Sequence, residues 1–540
     1  MTDDLTPAER KAIAPYVTNL DGPVFALVGL PEVVKGALFA RYSRSPKSLR
    51  RLFVDEFLED VEQGGGIPDT MRAARAERLY ERVFVEYGDD SVAQLGGVHL
   101  ACEGASNVLT KVLEWGRLMA YLEQSTRYIP YDDRPRGRYR YHVPDELDDR
   151  LRARYVSVLD AAFETYATWL PRMRDFYARK HPRPEGEPET AWRAAVRARA
   201  LDTLRGLLPA ATVSNVGIHG TGQAYEHLLL RMRAHPLEEV RHYAGLMLVE
   251  LRKVIPAFLR RVDLPDRGVA WSDYLAGTRA ATEHAAHTLL AGIEPEPRDE
   301  VTLAEFDPEG EVKVVAAALY AASTLPDDQL LAIAKRLSDA ERTEVLRAYV
   351  GARGNRRHRP GRAFERTGYR FDILGDYGAF RDLQRHRLLT LEWQRLEPRH
   401  GFIVPDAVVE AGAADDWTRV MEGSAALHDE IVAAGLAGAA SYAVSMAYRV
   451  RFYMQMNARE AMHVIELRTA PQGHPSYRRI CQTMYRLIAE RAGHRAIAAA
   501  MTFADHSDVE LSRLDAERAA ERRRAEHRAR TIGTHAAPAE

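Results

Sequence analysis

From Tyr448 to Met456 the chain alternates without a break, with apolar Tyr448, Val450, Phe452, Met454 and Met456 interleaved with Arg449, Arg451, Tyr453 and Gln455. That two-residue period belongs to a strand with one buried and one polar face. Directly afterwards the pattern over Asn457–Arg468 becomes helical, and Asn457 stands where an N-cap belongs. A strand that feeds straight into a helix excludes a purely helical or purely stranded domain around it. The junction is the first place to look for a site.

The rest of the chain reads mainly as helix, so the class expected is α+β and helix-rich. Residues 1–130 look mostly helical, with amphipathic segments near 31–41, 48–63 and 70–87, and a long helix is expected from about 145 to 181. Residues 181–190 are rich in Pro and Gly and read as a surface loop. Helices return over 191–262, softened near 212–222. Polar stretches at 294–300 and 306–310 together read as a linker. At 540 residues the chain is too long for one core, so a domain over 1–300, a second over 301–512 and a charged, disordered tail over 513–540 are expected. The only cysteines, Cys102 and Cys481, lie in helical patterns and form neither a metal-ligand spacing nor a disulfide framework. With a polar N-terminus and no apolar run long enough for a bilayer, they point to a reducing cytoplasm, no membrane and no metal. A net charge of −2 and no recognised module argue against a nucleic-acid partner.

The two halves echo each other. Trp115-Gly116-Arg117 corresponds to Arg385-His386-Arg387, and the stretch Leu122–Pro130 corresponds to Leu391–Pro405. Gln223-Ala224-Tyr225-Glu226 corresponds to Asn457-Ala458-Arg459-Glu460, and the longer first half is accounted for by its helices and Pro-rich loop. The preserved order reads as a tandem duplication.

Asp376 is expected to cap a helix running from Tyr377 through Thr390, with Tyr377, Phe380 and Leu383 facing the core. Three adjacent side chains, Arg385, His386 and Arg387, repel one another unless an anion or acidic residues lie near. Ending a helix with cations is the plain structural alternative. On the next helix Asn457 and Arg468 return to nearly one face, roughly 16 Å apart along the axis. Arg459 and His463 are one turn apart beside them. Together these groups suit one extended ligand or two adjacent ones.

Arg385-His386-Arg387-Leu388-Leu389-Thr390 resembles the Arg-His-Arg-x-x-Ser signature of the flavin-dependent thymidylate synthases. Phe364-Glu365, Asn457-Ala458-Arg459 and Leu467-Arg468 extend the resemblance over about residues 356–487. The first half is fainter, keeping Gly88–Leu95, Glu103-Gly104-Ala105-Ser106 and Ser125-Thr126-Arg127-Tyr128, but Trp115 and Gly116 replace the signature's Arg and His. The resemblance therefore implies two tandem domains of this fold forming a pseudo-dimer, the first degenerate.

It further implies reductive methylation of dUMP to dTMP, with FAD as cofactor and methylenetetrahydrofolate and NADPH as co-substrates. Matched position by position, Glu365, His386, Arg387, Asn457, Arg459 and His463 fall on the flavin side. Arg385, Arg399 and Arg468 fall on the nucleotide side, with Arg385 and Arg468 nearest the chemistry. Arg395 stands where the family has a substrate-side Ser, Glu392 replaces its Asn, and Arg399-His400 is displaced by an insertion. The family's Arg-x-x-Leu-Pro motif reads Ser441–Ser445 in the second half but is present in the first as Arg205–Pro209. Ser125, Arg127 and Arg205, with Arg233, are therefore expected to complete sites whose flavin side comes from the second half. Two such chains would form a homodimer imitating a tetramer. A silent flavin- or nucleotide-binding homologue, or a relative acting on another uridine nucleotide, is the alternative.

Overall fold

The computed structural model describes residues 5–58, apart from 24, 31, 43, 44, 46 and 57, and residues 94–507. The helix expected over 70–87, most of the Gly88–Leu95 stretch and the tail from 513 lie outside the described residues. The chain forms two compact units. One comprises residues 1–105, 112–123 and 215–293; the other comprises 106–111, 124–214 and 294–540. Packing thus crosses the sequence division near residue 300, because 124–214 from the first half joins the second.

Each half supplies one antiparallel arrangement. In the first, β1 (Gly97–Ser106), β2 (Met119–Glu123) and β3 (Val213–Thr221) lie in the order β1-β3-β2, with Met119 opposite Gly220 and Glu123 opposite Val216. In the second, β4 (Val301–Phe306), β5 (Gly368–Asp376), β6 (Thr390–Trp393) and β7 (Arg449–Asn457) lie in the order β4-β5-β7-β6. The pair β5–β7 runs from Gly368 opposite Asn457 to Asp376 opposite Arg449. Apart from the added β4, the orders match.

The helices repeat too. α1 (Asn107–Leu113) follows β1, the long α2 (Asp149–Lys180) and α3 (Glu189–Leu204) precede β3, and α4 (Gly222–Arg233) follows it. In the second half α5 (Tyr377–Leu383) follows β5, α6 (Ala414–Ala433) precedes β7, and α7 (Ala458–Arg468) and α8 (Pro475–Glu490) follow it. Among the described residues no helix is long and apolar enough to cross a membrane.

Alternation held where it was read: Val450, Phe452, Met454 and Met456 are buried on β7, and the Asn457 side chain caps α7 by accepting from Glu460 N at 2.9 Å. Elsewhere the structure corrects the reading. The first 130 residues contain β1 and β2, so Cys102 lies on a strand; the small residues of Gly97–Ser106 and their irregular burial hide the period. The soft stretch near 212–222 is β3. The expected linker contains β4, whose Val301 and Leu303 are buried in the core of the second unit. The helix capped by Asp376 stops at Leu383, since Thr390 already pairs with Gln455 on the sheet. Arg385, His386 and Arg387 therefore stand just past the C-terminus of α5, in the turn that leads into β6.

The register of the echo also shifts. With Arg117 opposite Arg387, Ala120 matches Thr390; these pair with His219 and Gln455, respectively. Thr221 thus corresponds to Asn457, two residues before Gln223. The caps agree: Thr221 accepts from Ala224 N, as Asn457 does from Glu460 N. Within the second unit the segments 205–211 and 441–447 pair with each other, through Ala210 N to Val444 O at 2.8 Å and Met446 N to Leu208 O at 2.9 Å. Pro209 faces Ser445, its own counterpart.

Candidate functional site

All thirteen of the expected site residues belong to the second unit, which carries the β7–α7 junction; Arg233, on α4, belongs to the other. At the end of α7, Arg468 Nε donates to His386 Nε2 at 2.8 Å. Because that nitrogen accepts, the neutral ring carries its proton on Nδ1, which faces Glu460 Oε1 at 3.6 Å. His463 lies edge-on to His386 with ring centres 5.5 Å apart, and the Arg359 guanidinium reaches its Nδ1 at 2.8 Å. Burial, followed by the Arg468, His463 and Arg385 charges, holds His386 well below its usual pKa. Burial, with Arg359, Arg356 and Arg468, brings His463 to about 4. Burial raises Glu460 to about 7, against the pull of Arg359, Arg459 and Arg387. Both imidazoles are therefore neutral at pH 7.

Behind this row lies a buried arginine cluster built on Asp382, which is 7% exposed. Arg385 binds Asp382 Oδ1 at 2.5 Å, Arg205 Nη1 lies 3.3 Å from Oδ2 and Arg468 Nη1 lies 3.9 Å from Oδ1. Arg127 holds Asp202 through two bonds of 2.8 and 3.1 Å and donates to the Tyr477 hydroxyl at 2.8 Å and to Gln472 O at 3.0 Å. Arg468 also lies over the Tyr477 ring, 5.5 Å from its centre. Burial alone would raise the Asp382 carboxyl, but Arg385, Arg205, Arg468 and Arg127 outweigh it and hold it well below the carboxylate range. Burial lowers Arg205 despite Asp382 and Asp376. Four guanidiniums face Asp382, Asp202 and, beside Arg205, Asp376, and the surplus of positive charge suits an anion such as a phosphate monoester.

The remaining residues divide. Arg459 donates to Pro360 O at 2.9 Å and approaches Glu365 at 3.5 Å, so these two stand together beside α7. Arg387 is exposed, and its charge reaches Glu460. The Ser125 hydroxyl accepts from Arg127 N at 3.2 Å, a turn that presents Arg127. Arg399 is exposed and paired with Glu397, and Arg395 is exposed; neither is tied to the cluster by a contact among the described residues. Asp382, Asp202, Glu460, Arg359 and Tyr477 were not read from sequence. Asp382 carried a signal, an acid one turn before Arg385, but partners such as Tyr477, 350 residues from Arg127, carry none.

His386, Glu460 and His463 bring ligating atoms within 4.8 Å of one another. Yet Arg468 occupies His386 Nε2 and Arg359 occupies His463 Nδ1. With Arg385, Arg356, Arg387 and Arg459 also felt at this site, a dication is disfavoured and an anion favoured. The exposed cations Arg359 and Arg387 and the half-buried Arg459 suit an anion such as a diphosphate, with His386 and His463 as neutral rings beside it.

Comparison with known proteins agrees with the internal repeat. The model of the Thy1 family, thymidylate synthase complementing protein, matches residues 38–257 and again residues 302–492. A UPF0159 protein of Chlamydia pneumoniae is 36% identical over 522 residues, covering 95% of this chain and 98% of that protein. A UPF0159 protein of Thermoplasma acidophilum is 30% identical, covering 89% and 97%. A flavin-dependent thymidylate synthase of Mycobacterium avium is 29% identical over 181 residues, covering 33% of this chain and 66% of that enzyme.

Proposed function

This chain belongs to the Thy1 family and contains its domain twice, and from that premise we propose that it is a flavin-dependent enzyme that methylates a uridine nucleotide, dUMP to dTMP. The observation that carries this reading is the Arg468–His386 contact, which joins the flavin-side row to the arginine cluster in one unit. Arg359, Arg387 and Arg459 would hold FAD, with Glu365, Asn457, His386 and His463 completing its side. Arg127, Arg205, Arg385 and Arg468 would hold the nucleotide. A bound reduced flavin, recharged by NADPH, would supply the hydride, and methylenetetrahydrofolate the carbon. The protein's part would be positioning and charge: Arg468, fixed by His386 and set over Tyr477, would meet negative charge developing on the ring without reorganising. Neither cysteine serves, since burial pushes the Cys102 thiol up to about 11 and the Cys481 thiol up to about 12.

The boundaries 1–300 and 301–512 are proposed as those of the two repeats. The antiparallel pairing of 205–211 with 441–447, centred where Pro209 meets its counterpart Ser445, supports a pseudo-dimer whose own dimer would complete a pseudo-tetramer. Purified protein should be yellow, and incubation with dUMP, methylenetetrahydrofolate and NADPH should give dTMP. Yellow protein without dTMP would favour the second reading, a silent homologue or one specific for another uridine nucleotide. Asp382 lends that reading weight, because a carboxylate already sits among the arginines.

A further inference from the structure

Residues 351–361 form the loop that brings the Arg359 guanidinium to His463, and its interior is the side chain of Arg353. All five N–H groups of that guanidinium find acceptors. Nε donates to His358 O at 2.6 Å, Nη1 to Glu466 Oε1 at 2.6 Å and Ala500 O at 2.7 Å, and Nη2 to Glu466 Oε2 at 2.7 Å and Arg356 O at 3.5 Å. The Arg353 and Glu466 side chains are 2% and 1% exposed, and the guanidinium lies over the Phe503 ring, 5.1 Å from its centre. A two-point fork onto a carboxylate fixes the plane of a guanidinium as well as its place. The loop carbonyls that accept from Arg353 are thereby fixed too.

Glu466 belongs to the face of α7 that carries the flavin-side row. Arg459, His463 and Glu466 follow one another at helical spacing, so they stand along one side of the helix. They meet the loop in turn: Arg459 donates to Pro360 O at 2.9 Å, Arg359 reaches His463 Nδ1 at 2.8 Å, and Glu466 holds Arg353. Arg359 and its contact with His463 are exposed, whereas the Arg353–Glu466 contact is closed to water. In the first repeat the position of Glu466 is taken by Leu230, which is 1% exposed and could not orient a guanidinium. We propose that Arg353 and Glu466 are positioning residues for the flavin side: their pair holds the loop so that Arg359 stays against His463, in the row that receives the anion. Neither residue touches the ligand. A buried ion pair adds little stability beyond apolar side chains of the same size, so orientation is what this pair supplies. The ligand's identity rests on the flavin reading, whereas the orientation of Arg359 is measurable with no ligand present.

Histidine NMR of the full chain reads that orientation, with His463 assigned by the resonance lost in His463→Asn. In the wild type His463 should titrate at about 4, held there by burial and then by Arg359. Arg353→Lys keeps the charge but loses the planar fork, so the loop should loosen and His463 should titrate nearer its ordinary 6.5. Affinity for added FAD should fall about tenfold, the loss expected when one charge-assisted contact is misplaced. Arg353→Met/Glu466→Leu removes both charges together and should unfold near the wild-type temperature. His463 should still move up in that double variant, and FAD affinity should still fall about tenfold. His463 at about 4 in both variants, or FAD affinity within about twofold of wild type in the folded double variant, would overturn the proposal. Wild type that binds no FAD, with His463 still responding to Arg353→Lys, would refute the flavin reading and leave the positioning standing.

Discussion

The ends of β3 and β7 make the same turn into a helix, with a side-chain cap on each, yet they carry opposite chemistry. On α7, eleven residues beyond the cap brings Arg468 to His386. On α4 the same step from Thr221 reaches Met232, fully buried in a hydrophobic environment. Gln223 replaces Arg459, Ala224 replaces Glu460, and only His227 matches His463. The helix after the first strand repeats the contrast, since Val112 stands where α5 has Asp382. One geometry thus serves as packing in the first repeat and as a charged site in the second. The fold needs the turn and the apolar faces, and it is indifferent to what the polar positions hold.

Swapping residues between repeats sharpens that contrast. Asp382→Val installs the first repeat's residue and leaves buried guanidiniums uncompensated, so urea unfolding should show a loss of about 3–5 kcal/mol. Inorganic phosphate should recover part of it. Stability unchanged in Asp382→Val would mean that the cluster is not held by this carboxylate. Next, Arg468→Met should cost turnover at least about a hundredfold, because a donor aimed at developing charge is removed, while unfolding shifts little. Equal loss of turnover and of stability would make Arg468 a packing residue like Met232.

How much of this was legible follows from the same contrast. Alternation over Tyr448–Met456 announced β7 because each outward position is polar, whereas six of the ten residues of β1 are Gly, Ala, Cys or Ser and its period is erased. Site residues that share a motif, such as Arg385 with His386 or Asn457 with Arg459, were readable as patterns. Their counter-ions were not: Asp202 meets Arg127 from 75 residues away, and only packing brings them together. The helix expected to run through Thr390 failed because pairing of β6 with β7 overrides local propensity.

Smaller effects distinguish the junctions further. Glu460 has its carboxyl raised from 4.5 to about 7, so the folded state binds the extra proton and its stability falls as pH rises through that window. Glu460→Gln should therefore gain about 1–3 kcal/mol at pH 8, a gain that shrinks toward zero as pH falls to 4.5. The counterpart Ala224→Gln should show no such pH dependence. Thermal unfolding across pH checks both. Finally, Thr221→Ala and Asn457→Ala should each cost about 1 kcal/mol as lost caps. Only Asn457→Ala should also release flavin on dialysis; release from Thr221→Ala would place a ligand at the first junction as well.

The most direct test of the central claim, that ligand chemistry survives at one junction of the two, is the flavin content of the purified chain. Protein is denatured, and released flavin is counted by absorbance against chain concentration. One flavin per chain, lost in Arg459→Ala and kept in Gln223→Ala, is the expected result. Two flavins per chain, or one that survives Arg459→Ala but not Gln223→Ala, would contradict it.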